Sequence, residues 1–213
     1  MILEPQASAC AGYGLRRHFK IMRIIAGSLK GRRLATVKGR MRPTSDKVRE
    51  AIFNILGPAV LEARVLDLFA GTGALGLEAL SRGARAAVFV EDHPTSLAVL
   101  RQNVETLGLA AQVEILPLPV KAGLKKLAAR QAVFELAFLD PPYGSGLAAA
   151  TLEDLARAGI LSPSAWVVAE HSRREALPEA VETLKLREMR RYGDTRVALY
   201  VLQKNLEIQE SAD

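Results

Sequence analysis

The sequence predicts an α/β protein: a doubly wound, mostly parallel sheet of seven strands with helices on both faces, a C-terminal antiparallel hairpin and a small basic β/α appendage at the N-terminus. Two observations carry that reading. From about residue 64 onward, short and nearly continuous apolar runs alternate with amphipathic stretches, the pattern of strands buried on both faces by crossover helices. Residues 183–203 ("TLKLREMRRYGDTRVALYVLQ") break that rhythm with two β-like runs about a tight Gly193-Asp194 turn. With 213 residues and 49% hydrophobic content, the chain can build one sizeable core, so a main domain with an appendage is expected.

In chain order, residues 1–21 show no periodicity, and Met22 stands where patterned sequence begins. They are read as a peripheral or poorly ordered extension from an upstream start. Residues 22–57 form the appendage. "MRIIAGSLKGRRLATVKGRMR" reads as short β pieces joined at Gly27, Gly31 and Gly39. "RPTSDKVREAIFNIL" then offers Thr44 or Ser45 as N-cap, Asp46 in the first turn, and one apolar face of Val48, Ala51, Ile52, Ile55 and Leu56. The main domain spans 58–206, with 207–213 as a tail. Its strands are "RVLDLFA" (64–70), "AAVFVE" (86–91), "QVEIL" (112–116), "FELAFLD" (134–140) and "AWVVAE" (165–170). Its helices are punctuated by Gly83, by Pro94 and Gly108, and by Gly159, with "VKAGLKKLAAR" following the third strand. Five parallel strands and a hairpin make the strand inventory of the Rossmann-like class I methyltransferase sheet, a resemblance that pattern alone does not order.

Composition narrows the function. No apolar run approaches the roughly 20 residues that span a bilayer, and "MILEPQASACAGYG" lacks a basic start followed by an apolar core. The single Cys10 cannot form an internal disulfide, and His18, His93 and His171 have no zinc-ligand spacing. The expectation is a cytoplasmic protein with no metal and no membrane partner. The charge is local: residues 16–49 carry twelve Lys/Arg against Asp46, a net of +11, whereas residues 50–213 sum to −4. A basic block beside a near-neutral body suits a phosphate backbone, with Arg32, Arg33 and Arg42 as candidate contacts.

"VLDLFAGTGALG" (65–76) places Gly71, Gly73 and Gly76 in GxGxxG spacing between a strand and a helix, with Glu91 about 20 positions on. Dinucleotides and S-adenosylmethionine both exploit such a loop, with the acid on ribose hydroxyls. Two features favour S-adenosylmethionine: Asp67 inside the first strand, suited to the cofactor's amino-acid end, and Asp140-Pro141-Pro142-Tyr143 after the fourth strand. Asp67, Phe69, Gly71, Thr72, Gly73 and Glu91 are therefore the candidate cofactor residues. The GxxxxGK[ST] of a P-loop is absent. After the third strand, "LPLPVKAG" offers no acidic or amide side chain for the adenine amine, which leaves the backbone of Val120.

The Asp-Pro-Pro-Tyr turn has its own chemistry. Proline lacks an N–H, fixes its φ and keeps the residue before it out of the helical region, so the turn is stiff. An exocyclic purine amine is a poor nucleophile because its lone pair is delocalised. The Asp140 carboxylate and the Pro141 carbonyl, accepting its two N–H bonds, would turn that pair toward an activated methyl, while Tyr143 stacks on the extruded base.

Together "MRIIAGSLKGRRL", "RPTSDKVREAIFNIL", "LDLFAGTGALGLEALSRGA", "FVED" and "LDPPYGSG" resemble the bacterial RsmD family, the 16S ribosomal RNA guanine-N2 methyltransferases, over about residues 22–203. The resemblance implies S-adenosylmethionine as cofactor, Asp140 to Tyr143 as catalytic turn, and a guanine of 16S ribosomal RNA as substrate, presented in an assembling small subunit. Arg32, Arg33, Arg42, Thr44 and Tyr143 are the expected substrate contacts. A DNA adenine-N6 methyltransferase would use the same turn, and an NAD-dependent oxidoreductase the same glycine loop. Trp166 is read as core, His93 as bordering the cofactor pocket, Glu170 and His171 as lying near the crevice edge, and Arg190, Arg191 and Arg196 as candidates to extend the RNA surface.

Overall fold

The computed structural model describes residues 22–37, 46–142 and 146–203. Among these, five helices are α1 (Asp46–Leu56), α2 (Ala74–Ser81), α3 (Pro94–Leu107), α4 (Val120–Ala129) and α5 (Leu147–Arg157). Eight strands are β1 (Arg64–Leu68), β2 (Ala86–Val90), β3 (Val113–Leu116), β4 (Phe134–Leu139), β5 (Leu161–Ser172), β6 (Ala180–Val181), β7 (Leu184–Tyr192) and β8 (Thr195–Leu202). They form one sheet in the order β3-β2-β1-β4-β5-β8-β7-β6. The first five are parallel, and β8 enters antiparallel between β5 and β7.

Three details differ from expectation. The sheet has eight strands where seven were expected, because β6 pairs two residues against Leu184 and Lys185, too short a run to show alternation. Strand β5 starts at Leu161 instead of Ala165: its pairing jumps from Phe134↔Leu161 to Leu136↔Trp166, a bulge that holds Pro163 and Ser164 and hides the strand's beginning. Residues 22–37 hold one isolated antiparallel bridge, Arg23↔Arg33, in place of several β pieces. Gly39, Thr44 and Ser45, the proposed joint and caps, lie outside the described residues.

Two apolar layers sandwich the sheet. On one face α1, α2 and α3 bring Ile52, Phe53, Leu77 and Leu100 against Leu136 and Phe138. Phe53 meets Phe138 at 5.7 Å between ring centroids. On the other face Leu124 and Leu127 of α4 and Leu152 and Leu155 of α5 cover Leu66 and Val167. Each such leucine contributes about 1.5–3 kcal/mol when fully buried. Trp166, expected in the core, is half-buried and packs against the first layer.

Strand order reverses between β1 and β4, where parallel α/β sheets open a crevice at their carboxyl ends. Leu68 pairs with Leu139, so both strands end level and their loops leave side by side. The next rung is a long contact, Asp140 N–H to the Leu68 carbonyl at 3.5 Å.

Candidate active site

The glycine loop is held by carboxylates. Asp67 of β1, 2% exposed, accepts the N–H of Gly76 at 2.9 Å. Gly76 lies in the first turn of α2, whose N-cap, Gly73, has no side chain, so Asp67 caps that helix from a neighbouring strand. Gly73 sits at φ +83°, and a Cβ there would lie 2.4 Å from Leu100 Cδ1. A Cβ on Gly76 would lie 2.4 Å from Phe89 Cε1, so the third glycine lets α2 close onto β2. Phe69 itself carries a positive φ of 59°, backbone strain at the point where β1 turns into the loop.

Glu91, just past β2, accepts the Gly71 N–H on Oε2 at 2.7 Å. Its Oε1 accepts the N–H groups of His93 at 2.8 Å and Asp92 at 3.1 Å. One carboxylate thus clamps the glycine loop to the entry of α3. His93 occupies the N-cap position of α3 without a side-chain cap bond, and its Nδ1 is buried without a partner.

These acids share a field. Burial raises Asp67 well above its ordinary 3.8; the Gly76 N–H opposes that shift, and the charges of Asp140 and Glu91 add to it. Asp67 and Glu91 thus hold the loop at Gly76 and Gly71. They spend their oxygens on the N–H groups of the loop and of the entry to α3, so they set the shape of the loop. No group of three or more His, Cys, Asp or Glu among the described residues is placed to hold a metal ion.

Of the proline turn, Asp140 is half-buried, Pro141 buried and Pro142 exposed, while Tyr143 lies outside the described residues. Past it, the Gly146 N–H donates to Glu175 Oε1 at 3.1 Å, tying the start of α5 to the segment after β5. His171 is fully buried with Nδ1 3.1 Å from the Glu175 carbonyl, so that nitrogen carries the proton; burial pulls its pKa down. Glu170 is also buried. Val120 opens α4, where its N–H stands outside the helical ladder.

The basic block divides. Arg23, Lys30, Arg32 and Arg33 are exposed. Arg32 nevertheless donates to the Thr106 carbonyl in the last turn of α3 at 2.7 Å, so its charge also serves docking. Arg49 is fully buried, 3.8 Å from Glu78, and donates to the Arg23 carbonyl. Arg42 and Thr44 lie outside the described residues. On the hairpin, Arg190 pairs with Glu188, Arg191 is exposed, and the half-buried Arg196 stands opposite His171.

Sequence reasoning missed the polar groups that dock residues 22–37. Glu78 accepts the N–H groups of Ile25 at 2.8 Å and Ala26 at 3.0 Å, Ser81 Oγ donates to the Ala26 carbonyl at 2.6 Å, and Asn103 Oδ1 accepts the Ala35 N–H at 2.7 Å. The one available signal was a glutamate inside the apolar helix "ALGLEALS".

Comparison with known proteins gives consistent matches. The family described as "Conserved hypothetical protein 95" matches residues 22–201. YlbH of Bacillus subtilis (strain 168) is 41% identical over 180 residues, 84% of this chain and 98% of its own length. Ribosomal RNA small subunit methyltransferase D of Escherichia coli (strain K12) is 34% identical over 195 residues, 90% of this chain and 94% of its own. The solved structure of yhhF from Escherichia coli superposes with a TM-score of 0.76 at 33% identity, covering 86% of this chain and 98% of that one.

Proposed function

The chain belongs to the RsmD family of ribosomal RNA methyltransferases, and from that premise we propose that it transfers a methyl group from S-adenosylmethionine to the exocyclic N2 amine of a guanine in 16S ribosomal RNA. The observation that carries the reading is the level exit of β1 and β4, which brings the glycine loop and Asp140 to one crevice.

S-adenosylmethionine supplies a methyl group on a sulfonium, ready for in-line displacement. Glu91 and Asp67 hold the loop that receives it: Glu91 through Gly71, Asp67 through Gly76. Their charge also opposes that of the sulfonium and ammonium groups. The Val120 N–H is the donor at the adenine end. Asp140 accepts one N–H of the guanine amine and the Pro141 carbonyl accepts the other, which turns the nitrogen lone pair toward the methyl. Positive charge that develops on nitrogen is stabilised by the Asp140 carboxylate, which takes the proton and returns it to solvent. Holding the amine in line with the bound methyl donor would supply most of the acceleration. Tyr143 stacks on the extruded base, and the basic block holds the flanking phosphates, the substrate being 16S RNA free or within an assembling small subunit.

The test is radiolabelled methyl transfer onto undermethylated small subunits, naked 16S RNA and DNA in parallel, with nucleoside analysis of the product. N2-methylguanosine in RNA is expected, and Asp140→Ala should lower turnover about 10³-fold while the cofactor still binds. Label in DNA as N6-methyladenine would replace the substrate assignment. Unchanged turnover in the variant would remove the role given to Asp140.

A further inference from the structure

Asn103 is a polar side chain of α3, 2% exposed, whose amide uses both of its N–H donors and its oxygen in hydrogen bonds. Oδ1 accepts the Ala35 N–H at 2.7 Å, and Nδ2 donates to the Ala35 carbonyl at 3.1 Å and to the Thr72 carbonyl at 3.0 Å. The amide reads both backbone groups of Ala35, much as a neighbouring strand would. Its remaining N–H goes to the residue between the two loop glycines.

Thr72 is tied to the basic segment a second time, through its Oγ1 against Met22 Sδ at 3.9 Å. The peptide that joins Thr72 to Gly73 is planar, so fixing its oxygen fixes its N–H as well. That N–H donates to the Ala70 carbonyl at 2.7 Å. The peptide plane at the tip of the loop is thereby clamped at both ends, by Asn103 on one side and by the loop's own backbone on the other. Asn103 in turn is oriented by the two bonds it makes to Ala35.

We propose that Asn103 is a positioning residue that couples the basic segment 22–37 to the glycine loop, so that cofactor and RNA each favour binding of the other. The proposal rests on the reading that this loop receives S-adenosylmethionine. The physical link is order. A loop held by a ligand keeps the Thr72 carbonyl in place for Asn103, which keeps its amide aligned on Ala35; a segment held by phosphates does the same in the opposite direction. Coupling of this kind is reciprocal.

The experiment is hydrogen exchange on the full chain with and without S-adenosylhomocysteine, alongside calorimetry of the same binding. In the wild type, the amides of residues 34–36 should exchange about tenfold more slowly when the ligand is bound. Asn103→Leu fills the same space without hydrogen bonds. It should weaken ligand binding about tenfold, the value of one or two buried hydrogen bonds, and abolish the response of residues 34–36. Wild-type protein that binds the ligand while those amides exchange unchanged overturns the proposal, whether or not the variant folds. Wild-type protein that fails to bind the ligand overturns the reading of the loop, and the proposal falls with it.

Discussion

Asp67 performs two tasks that pull against each other. It caps α2 through Gly76, which needs only an acceptor, and it keeps a carboxyl buried, which raises its pKa, the charges of Asp140 and Glu91 adding to the shift. A carboxyl whose folded pKa lies above its unfolded value binds more protons when folded. Its stabilising contribution is therefore full below the ordinary 3.8 and is lost as pH rises through the folded value. Asp67→Asn keeps an oxygen for Gly76 and removes the charge. The variant should melt no lower than the wild type at pH 8, show a flatter dependence of melting temperature on pH above 4, and bind S-adenosylhomocysteine about tenfold more weakly for want of the opposing charge. Melts at pH 5 and pH 8 with calorimetry check all three, and a variant that melts well below the wild type at pH 8 would contradict the assignment of burial as the dominant effect.

Among the elements, α2 links the two sides of the molecule. Its N-terminus receives the glycine loop, and its later turns receive residues 25–29 through Glu78 and Ser81. Glu78 also holds Arg82 at 2.7 Å and faces the buried Arg49 of α1 at 3.8 Å. Burial lowers the Arg49 pKa and Glu78 is the main influence that restores it, so the guanidinium depends on that carboxylate. Glu78→Gln leaves the buried cation with only the partly exposed Asp46, 3.3 Å away, as an ion-pair partner, and a loss of about 3 kcal/mol in urea unfolding is expected. Limited proteolysis should then cut first within residues 22–37, whose backbone anchor Glu78 supplies. A variant as stable as the wild type would mean that Asp46 and the Arg23 carbonyl suffice for Arg49.

For the molecule as a whole, a near-neutral sheet domain carries its positive charge in one block of sequence, of which residues 22–37 dock on α2 and α3. Among the described residues of that block Arg23, Lys30, Arg32, Arg33 and Lys47 are exposed, whereas Arg49 is spent internally and Arg32 is shared with the C-terminus of α3. Removing phosphate contacts lowers the salt slope by about one for each. Reversing Arg33 and Arg42 together should therefore weaken RNA binding and flatten the slope by about two, whereas reversing Arg32 should also loosen the docked segment. RNA titrations from low to moderate salt measure this, and an unaltered slope in the double variant would remove phosphate contact from the block.

The sequence by itself determined the class of fold, the glycine loop and the position of the proline turn. These are local properties: strands such as "AAVFV" are apolar throughout because both faces are covered, and a turn formed by two prolines is stiff wherever it lies. It also read the hairpin about Gly193 correctly, since strand and turn signals there span adjacent residues. The tertiary structure alone decided which polar groups meet across the chain. Ala35 and Asn103 are 68 positions apart, and Ile25 and Glu78 are 53 apart. A glutamate inside an apolar helix signals that Glu78 has a partner but not which one, because that depends on how α2 and α3 lie over the sheet. The division of the basic block into exposed and buried arginines followed from the same packing. Periodicity along a chain reports which side of an element is buried, but not what that side is buried against.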